Sequence, residues 1–393
     1  MKINTLLSIG SIFLLGLIFS GLIRKIKMPS ITAYMILGIL IGPNIAGLIS
    51  PQIINSSALI SNIVLSFIAF SIGQNLSLQR FREIGNDIVA ITIGQGLGAV
   101  VFVTGAIYLL TRTSFVVALC YGTIATATAP AAIVMVVREF RAKGKFTNTL
   151  LGVVALDDGL GLILFALVLA VIKSLSTVQD HFLQMAFSGI IYGCLEVFGA
   201  IILGVILGAL LSYFSRFLTN TQEFLIYTLG FIIFNSGLSL FFGFSVLLSN
   251  MAMGGILVNI NKTSFRFFES LRSIDTPFYL LFFVLAGANL DLGLINSMGL
   301  VGGIYIIARM IGKITGTFLS GTLIGTRDEI RKYLGIGLAP QAGVAVGMAM
   351  IVKNVLPENG SVIMSTIIAT TMVYEIIGPV MTKYALQKVH NIE

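Results

Sequence analysis

Two carboxylates stand side by side in an otherwise apolar stretch of the chain. Asp157 and Asp158 lie in the segment Gly152-Val-Val-Ala-Leu-Asp-Asp-Gly-Leu-Gly161. Adjacent side chains on a helix point about 100° apart, so one carboxylate can face a cavity while the other turns toward a neighbouring helix. Two carboxylates this close in a poorly solvated place do not both ionise readily. We expect the pair to hold a proton, or to release it and bind a hard cation such as Na+; the alternative is a structural anchor.

Two cationic residues share one face of another apolar segment. Arg309 and Lys313 are four residues apart, which places both side chains on the same side of a helix. A buried lysine changes its protonation readily, whereas arginine stays charged. Lys313 is therefore the candidate titrating partner of Asp157, and Arg309 is either a fixed charge or a side chain that reaches the membrane interface. Glu375, in a later apolar segment, is predicted to pair with one of these cations.

Proline and polar residues interrupt two further apolar segments. Thr126, Thr128 and Pro130 fall within one, and Pro340 and Gln341 fall within the other. Proline removes a backbone donor, so both helices are predicted to break there unless the prolines cause ordinary kinks. Broken helices at membrane depth expose carbonyl groups and helix ends that can hold an ion. We predict that these five residues supply ion ligands.

The composition places these residues in a membrane protein. Of 393 residues, 56% are hydrophobic and 10% are charged, and the mean hydropathy is +1.01. A soluble domain carries about 25% charged residues, so this chain cannot cover its surface with polar groups and needs lipid around it. Two histidines and two cysteines give no cluster for a resident metal. We expect no cofactor and no enzymatic activity.

Thirteen apolar runs are long enough to cross a bilayer, which takes about 20 residues. They predict an all-α polytopic membrane protein. The least distinct boundary is at Gly243, between the eighth and ninth runs. The runs cover residues 3–23, 29–49, 56–78, 88–111, 114–137, 148–172, 184–213, 223–242, 244–260, 275–294, 298–324, 333–352 and 361–382.

The loops between these runs fix an orientation. Of the 24 basic residues, Arg309 and Lys313 lie within a run, and four fall in loops on one side: Lys2, Arg112, Lys173 and Lys353. The other eighteen fall on the opposite side. Because basic residues stay in the cytoplasm, the N-terminus is predicted outside and the C-terminus inside. The formal net charge of +8 thus follows from topology, and we expect no nucleic-acid partner.

The two halves of the chain resemble each other. Gly73-Gln-Asn-Leu-Ser-Leu78 matches Gly287-Ala-Asn-Leu-Asp-Leu292, and Ile93-Gly-Gln95 with Gly98 matches Ile311-Gly-Lys313 with Gly316. Met35 and Gly38 match Met251 and Gly254, and Pro130 matches Pro340. These matches predict two inverted repeats of six helices, with the seventh run, 184–213, as a linker that carries Glu196 in a structural or interfacial role. The alternative is coincidence among glycine-rich helices.

These motifs together resemble the bacterial monovalent cation:proton antiporter-2 family along essentially the whole chain. The resemblance rests on Leu22-Ile-Arg-Lys-Ile-Lys-Met-Pro29, Leu37-Gly-Ile-Leu-Ile-Gly-Pro43 and Phe282-Phe-Val-Leu-Ala-Gly287. It rests also on the Asp-Asp pair, the Thr-Ala-Thr-Ala-Pro segment and the Gly-Lys-x-x-Gly segment, in the family's order. Many relatives carry a C-terminal nucleotide-binding regulatory domain; we expect this protein to be a short form without one, and we expect no gating of that kind.

The resemblance implies a cation/proton antiporter of a bacterial or archaeal cell membrane, with Na+ as the favoured cation. It implies that cation and proton alternate at Asp158 and that Asp157 pairs with Lys313. It further implies a homodimer with a dimerisation subdomain (1–78 and 223–294) and a transport core (87–172 and 298–386) that contains crossed broken helices and moves like an elevator. The expected partners are the cation, protons and lipid.

Other transport functions stay open on the sequence alone. A K+/H+ antiporter of the same family would carry the same motifs. A sodium-coupled symporter of an organic anion would need a roomy cavity, which the aspartate–lysine pairing disfavours. A channel or receptor lacks support, because no carbonyl-rich filter repeat or sensory domain is evident.

Overall fold

The computed structural model describes residues 4–24, 30–79, 85–177, 182–290, 295–341 and 343–390. Within these ranges all regular secondary structure is helical. A helix satisfies its own backbone hydrogen bonds, so it suits an apolar chain in lipid. In chain order the helices are α1 (Thr5–Arg24), α2 (Ser30–Ile41), α3 (Pro51–Asn55), α4 (Ser57–Gly73), α5 (Asn86–Thr111), α6 (Phe115–Ile124), α7 (Pro130–Glu139), α8 (Lys145–Thr177), α9 (Phe182–Phe214), α10 (Thr221–Phe242), α11 (Val246–Ile260), α12 (Ser264–Ala288), α13 (Ile295–Leu323), α14 (Asp328–Gly337), α15 (Gly343–Val355) and α16 (Pro357–His390).

Fifteen of these described helices, all except α3, account for the thirteen predicted runs. Nine are long and apolar enough to cross a membrane, namely α1, α4, α5, α8, α9, α10, α12, α13 and α16. Four more are apolar but shorter, namely α2, α6, α11 and α15. The fifth and twelfth runs are each split, because α7 follows α6 and α15 follows α14 after a short interruption. The predicted all-α polytopic fold is confirmed.

The largest difference between a helix and its predicted run is at α12. The run 275–294 was expected to begin near Asp275, whereas α12 begins at Ser264. Arg266, Glu269 and Arg272 lie in the added part, and such charges hide a helix from a hydropathy count. Several predicted loop positions lie outside the described residues, namely Lys2, Lys25, Lys27, Arg80 and Arg82.

The chain forms two compact units. Unit 1 consists of Met1–Ile60, Asn86–Gly161 and Tyr279–Glu393, and unit 2 of Ser61–Gly85 and Leu162–Phe278. Each unit has its own buried core, which is expected because apolar side chains pack against one another wherever helices meet.

In unit 1 this core anchors the helices that flank the interruptions. Ile133 of α7, Leu150 of α8, Leu334 of α14 and Leu386 of α16 belong to one buried cluster. The half-helices α7 and α14 are therefore held by α8 and α16, the helices that carry the acidic residues Asp157, Asp158 and Glu375.

Helices α5 and α13 of unit 1 cross at glycines. A Cβ atom added at Gly98 would lie 2.8 Å from the Cα atom of Gly316, and one added at Gly312 would lie 2.9 Å from the Cα atom of Ala99. A Cβ atom at Gly316 would collide with the carbonyl oxygen of Gly94. Small residues allow such close contact between membrane helices. Since Gly94 and Gly98 match Gly312 and Gly316, the crossing joins equivalent positions of the two halves.

A second set of contacts also joins matched positions of the two halves. In unit 1, a Cβ atom at Gly287 would collide with the carbonyl oxygen of Met35. In unit 2, Gly73 is packed tightly against the carbonyl oxygen of Met251. Gly73 matches Gly287 and Met251 matches Met35, so each contact joins one half to the other in the same way. The predicted repeat leads us to expect such matched contacts; Asp291, near the end of its second copy, lies outside the described residues.

Candidate ion-binding site

The two interrupted helices meet through their extended segments. Helix α6 ends at Ile124 before α7 begins at Pro130, and α14 ends at Gly337 before α15 begins at Gly343. The backbone N–H of Ala129 donates to the carbonyl oxygen of Pro340 at 2.9 Å, so the two segments are in direct contact. The predicted break at each proline is present, and it leaves several carbonyl groups without a helical partner.

A glycine brings a long helix against each interrupted segment. A Cβ atom at Gly161 of α8 would lie 2.7 Å from the hydroxyl oxygen of Thr126. A Cβ atom at Gly378 of α16 would lie 2.6 Å from the Cα atom of Pro340. The helix that carries Asp157 and Asp158 thus touches one interruption, and the helix that carries Glu375 touches the other.

Arg309 binds the carbonyl groups of both interrupted segments. Its Nε atom donates to the carbonyl oxygen of Ala125 at 3.0 Å, and its Nη2 atom donates to that of Ala127 at 2.7 Å. Its Nη1 atom donates to the carbonyl oxygen of Ala339 at 2.7 Å. The guanidinium is fully buried, and its carbon lies 4.4 Å from the centre of the Tyr374 ring.

Of the two predictions for Arg309, the structure agrees with the buried fixed charge. It does not reach an interface, and no described carboxylate lies within ion-pair distance of it. Its positive charge instead faces carbonyl dipoles, and its planar donors suit several acceptors at once. Gln341 adds to the same junction, because its Nε2 atom donates to the carbonyl oxygen of Ile124 at 3.2 Å and to the hydroxyl of Tyr305 at 2.7 Å.

Lys313 lies at the centre of a second buried cluster. Its Nζ atom donates to Gln95 Oε1 at 2.8 Å, to the Thr126 carbonyl oxygen at 2.8 Å and to Thr128 Oγ1 at 2.7 Å. The same atom lies 3.4 Å from Asp157 Oδ2. The ammonium group is fully buried, and these oxygen atoms replace the water that it has lost.

Asp157 is a compensated carboxylate. In addition to Lys313, it accepts hydrogen bonds from Gln95 Nε2 and from Thr128 Oγ1. The Thr128 hydroxyl therefore links the lysine to the aspartate. A buried carboxylate with a cation and two donors can stay ionised without a bound metal.

Asp158 stands in a different environment. It is 6% exposed, and its Oδ1 atom is buried without a hydrogen-bond partner among the described residues. Adjacent positions on α8 direct the two carboxylates differently, as the helical geometry predicts. A buried carboxylate oxygen without a donor is costly, so Asp158 needs a proton or a cation that Asp157 does not.

Glu375 does not join either cation. It accepts a hydrogen bond from Thr32 Oγ1 of α2, and the ion pairs seen among the described residues do not include it. The predicted pairing with Arg309 or Lys313 is therefore wrong in this structure, because both cations are already bound by other oxygen atoms. Glu196 lies on α9 of unit 2 and is partly exposed.

Sequence reasoning missed Gln95, Tyr305 and Thr32. One signal pointed to Gln95, since it occupies the position in the first half that Lys313 occupies in the second. The two matched side chains now bind each other at 2.8 Å across the α5–α13 crossing. Tyr305 and Thr32 carried no such signal.

Comparison with known proteins shows the family of this chain. A family profile described as the transmembrane sodium/hydrogen exchanger matches residues 10–388. The chain belongs to this family. The match spans every helix that contributes to the site, from α2 to α16.

Individual relatives of this exchanger agree with that assignment. The chain is 25% identical over 362 residues to the Na(+)/H(+) antiporter NhaS4 of Synechocystis sp., covering 84% of each chain. It is 25% identical over 334 residues to the high-affinity Na(+)/H(+) antiporter NhaS3 of the same organism, covering 80% of this chain and 69% of the relative. It is 23% identical over 380 residues to the ammonium/H(+) antiporter subunit AmhT of Alkalihalophilus pseudofirmus, covering 95% and 92%.

The exchanger also shares its fold with a solved structure. The sodium proton antiporter MjNhaP1 from Methanocaldococcus jannaschii at pH 8 superposes with a TM-score of 0.78 at 19% identity, and 97% of each chain is covered. Such a likeness over nearly the whole chain shows a common helical architecture.

Proposed function

We propose that this chain exchanges a monovalent cation, most favourably Na+, for protons at Asp158. The observation that carries the proposal is the contrast between the two neighbouring carboxylates. Asp157 is compensated by Lys313, Gln95 and Thr128, whereas Asp158 Oδ1 has no described partner. A proton and a cation would compete for this one uncompensated group. The names of the two Synechocystis relatives support Na+ as the cation.

Oxygen atoms near the interrupted helices are the proposed further ligands. Hard cations prefer oxygen, and Gln341 Oε1 is a second buried acceptor with no described partner. Thr126, Thr128 and Pro340 belong to the same two segments. Asp157 and Lys313 would hold the local charge constant, so that the occupancy of Asp158 alone changes.

Competition at Asp158 gives obligatory exchange. With neither proton nor cation, Asp158 would be a buried charge without compensation, and moving it through the protein interior would be costly. The transport core (87–172 and 298–386) would therefore cross only when Asp158 is occupied. We propose that it moves like an elevator against the dimerisation subdomain (1–78 and 223–294) of a homodimer, with 184–213 as the linker.

The proposed setting is a bacterial or archaeal cell membrane. The basic loops support an orientation with the N-terminus outside and the C-terminus in the cytoplasm. Since AmhT is named an ammonium/H(+) antiporter subunit, ammonium joins K+ and Li+ as a cation that the test must include.

The test is cation-driven proton movement in proteoliposomes with an acidic interior. The native chain is compared with Asp158→Asn and with Asp87→Asn, a matched control at an exposed aspartate in the first turn of α5. The proposal expects at least one cation to dissipate the pH gradient, Asp158→Asn to abolish the effect and Asp87→Asn to retain it.

Two outcomes would overturn the proposal. If no cation moves protons, the exchange reaction is wrong and sodium-dependent uptake of an organic anion becomes the reaction to test. If Asp158→Asn exchanges at the native rate, the assignment of the site is wrong even though exchange occurs.

A further inference from the structure

Glu375 is a buried acidic residue that the proposed exchange does not use. It lies on α16 and is 2% exposed. Thr32 Oγ1 donates to its Oε2 atom, whereas its Oε1 atom is buried without a hydrogen-bond partner among the described residues. Thr32 is fully buried as well. The carboxyl group thus has a single neutral partner on another helix.

The charged groups on the neighbouring helices do not compensate Glu375. On α13, the Arg309 nitrogens bind carbonyl oxygens, and Lys313 is taken up by the cluster around Asp157. On α15, Lys353 donates to Asn289. The charged side chains of α7, Arg138 and Glu139, lie outside the described residues. On α14, Arg331 and Lys332 pair with Asp328, and Glu329 is exposed. The uncharged titratable groups on α16 and the helices that pack against it include Tyr34, Cys120, Tyr121, Tyr305, Tyr333 and Tyr374.

We infer that Glu375 is a second proton-binding site, separate from Asp158, which holds its proton in the conformation seen here. An ionised carboxylate in this place would have one neutral donor and no described cation to offset the loss of water. A protonated carboxyl is neutral and can still share a hydrogen bond with the Thr32 hydroxyl, because a hydroxyl both donates and accepts.

The Thr32–Glu375 hydrogen bond links this proton to the position of α16. This step rests on the proposed function, in which α2 belongs to the dimerisation subdomain and α16 to the transport core. A core that moves past α2 must break the bond, and it can then expose Glu375 to water. The bound proton therefore stabilises the present conformation. Loss of this proton at high pH favours the conformation in which the core has moved past α2. One such proton changes the ratio of two conformations by at most about tenfold per pH unit.

The first test observes the proton directly. Infrared difference spectra between acidic and alkaline pH show the carbonyl stretch of protonated carboxylic acids in the whole purified chain. We expect part of this band to disappear in Glu375→Gln and to shift in frequency in Thr32→Val. Thr371→Val is the matched control, because the Thr371 hydroxyl is buried one turn away on α16 and lacks a described partner; it should leave the band unchanged.

A Glu375→Gln spectrum with the full native band would overturn the inference, since Glu375 would then not be the protonated group. An unshifted band in Thr32→Val would overturn the contact with α2. These spectra need no transported cation, so they remain decisive even if Asp158→Asn shows that the proposed exchange site is wrong.

The second test measures the consequence for exchange. A glutamine keeps the neutral shape of a protonated glutamate at every pH, so Glu375→Gln should lose whatever rise in rate follows ionisation. We expect the ratio of native to Glu375→Gln exchange rates to increase severalfold between about pH 6 and about pH 9. The ratio for Thr371→Val should stay constant. A constant ratio for Glu375→Gln, in a variant that elutes as a folded protein, would refute the link between this proton and core movement.

Discussion

Replacing Arg309 by lysine separates its charge from its geometry. The guanidinium reaches Ala125 and Ala127 in one interrupted segment and Ala339 in the other, and three of its hydrogen bonds measure 2.7–3.0 Å. Lysine has one nitrogen, on a stem that follows a different path. It keeps the positive charge but lacks the planar set of guanidinium donors that binds three carbonyl groups at once.

The cost follows from the number of carbonyl groups left without a donor. A buried acceptor that loses its partner costs about 1–3 kcal/mol. If lysine retains one of the three contacts, Arg309→Lys should lower the free energy of unfolding by about 2–6 kcal/mol. Arg309→Met retains none and should lose about 3–9 kcal/mol. Hydrogen bonds in membrane proteins average only about 0.6 kcal/mol, so both losses of unfolding free energy should lie toward the lower ends of these ranges.

The assay is thermal unfolding in detergent, followed by the loss of the monodisperse peak in size-exclusion chromatography. Arg331→Lys is the control, because Arg331 pairs with Asp328 at an exposed site of α14. Surface ion pairs contribute at most about 1 kcal/mol. We expect the apparent melting temperature to decrease in the order native, Arg331→Lys, Arg309→Lys and Arg309→Met.

If Arg309→Lys has the same apparent melting temperature as the native protein, the carbonyl contacts do not hold the interrupted helices together. Stable Arg309→Lys protein that has also lost exchange would mean that Arg309 acts on the transported ion. A purely structural role for Arg309 would then be wrong.

Three further predictions concern the buried cluster and the helix crossing. Lys313→Met should destabilise the protein by about 3–5 kcal/mol because it leaves Asp157 as an unpaired buried charge. Adding Asp157→Asn should recover most of that loss in the same melting assay. A double variant no more stable than Lys313→Met alone would contradict the pairing. Thr128→Val removes the hydroxyl that joins the two groups and should slow exchange in proteoliposomes without changing oligomeric state; an unchanged rate would exclude a role for this link. Gly98→Ala should lower the free energy of unfolding by about 1–3 kcal/mol because it crowds the α5–α13 crossing. The control Gly105→Ala, with nothing within 4 Å of its added Cβ atom, should be neutral or stabilising. Equal melting temperatures for the two variants would show that the crossing can open.

The positions of the helices could be predicted because hydropathy is a local property of the sequence. Every apolar run became a helix or a pair of half-helices, and the breaks at Pro130 and Pro340 follow from the missing backbone donor. The first part of α12 was missed because Arg266, Glu269 and Arg272 reduce the local hydropathy. A helix of this kind is recognised from its tertiary packing, which a window average does not contain.

The residue types at the site could be predicted, but several of their partners could not. An ionisable residue in an apolar run identifies itself, which is how Asp157, Asp158 and Lys313 were found. The partners of Arg309 are backbone carbonyl groups, and every residue has one, so no sequence pattern distinguishes them. The contact of Glu375 with Thr32 depends on how α2 packs against α16, and residues 343 positions apart give no local signal.

The meeting of Gln95 and Lys313 shows how a duplicated scaffold can carry a single site. Identical halves would place the same side chain on both sides of the crossing. Two lysines would bring like charges to within hydrogen-bond distance, and two glutamines would leave Asp157 without a counter-ion. One neutral amide opposite one ammonium avoids both problems, since the amide accepts from the lysine and donates to the carboxylate. The glycine contacts at this crossing are repeated in the two halves, whereas the paired side chains, Gln95 and Lys313, differ.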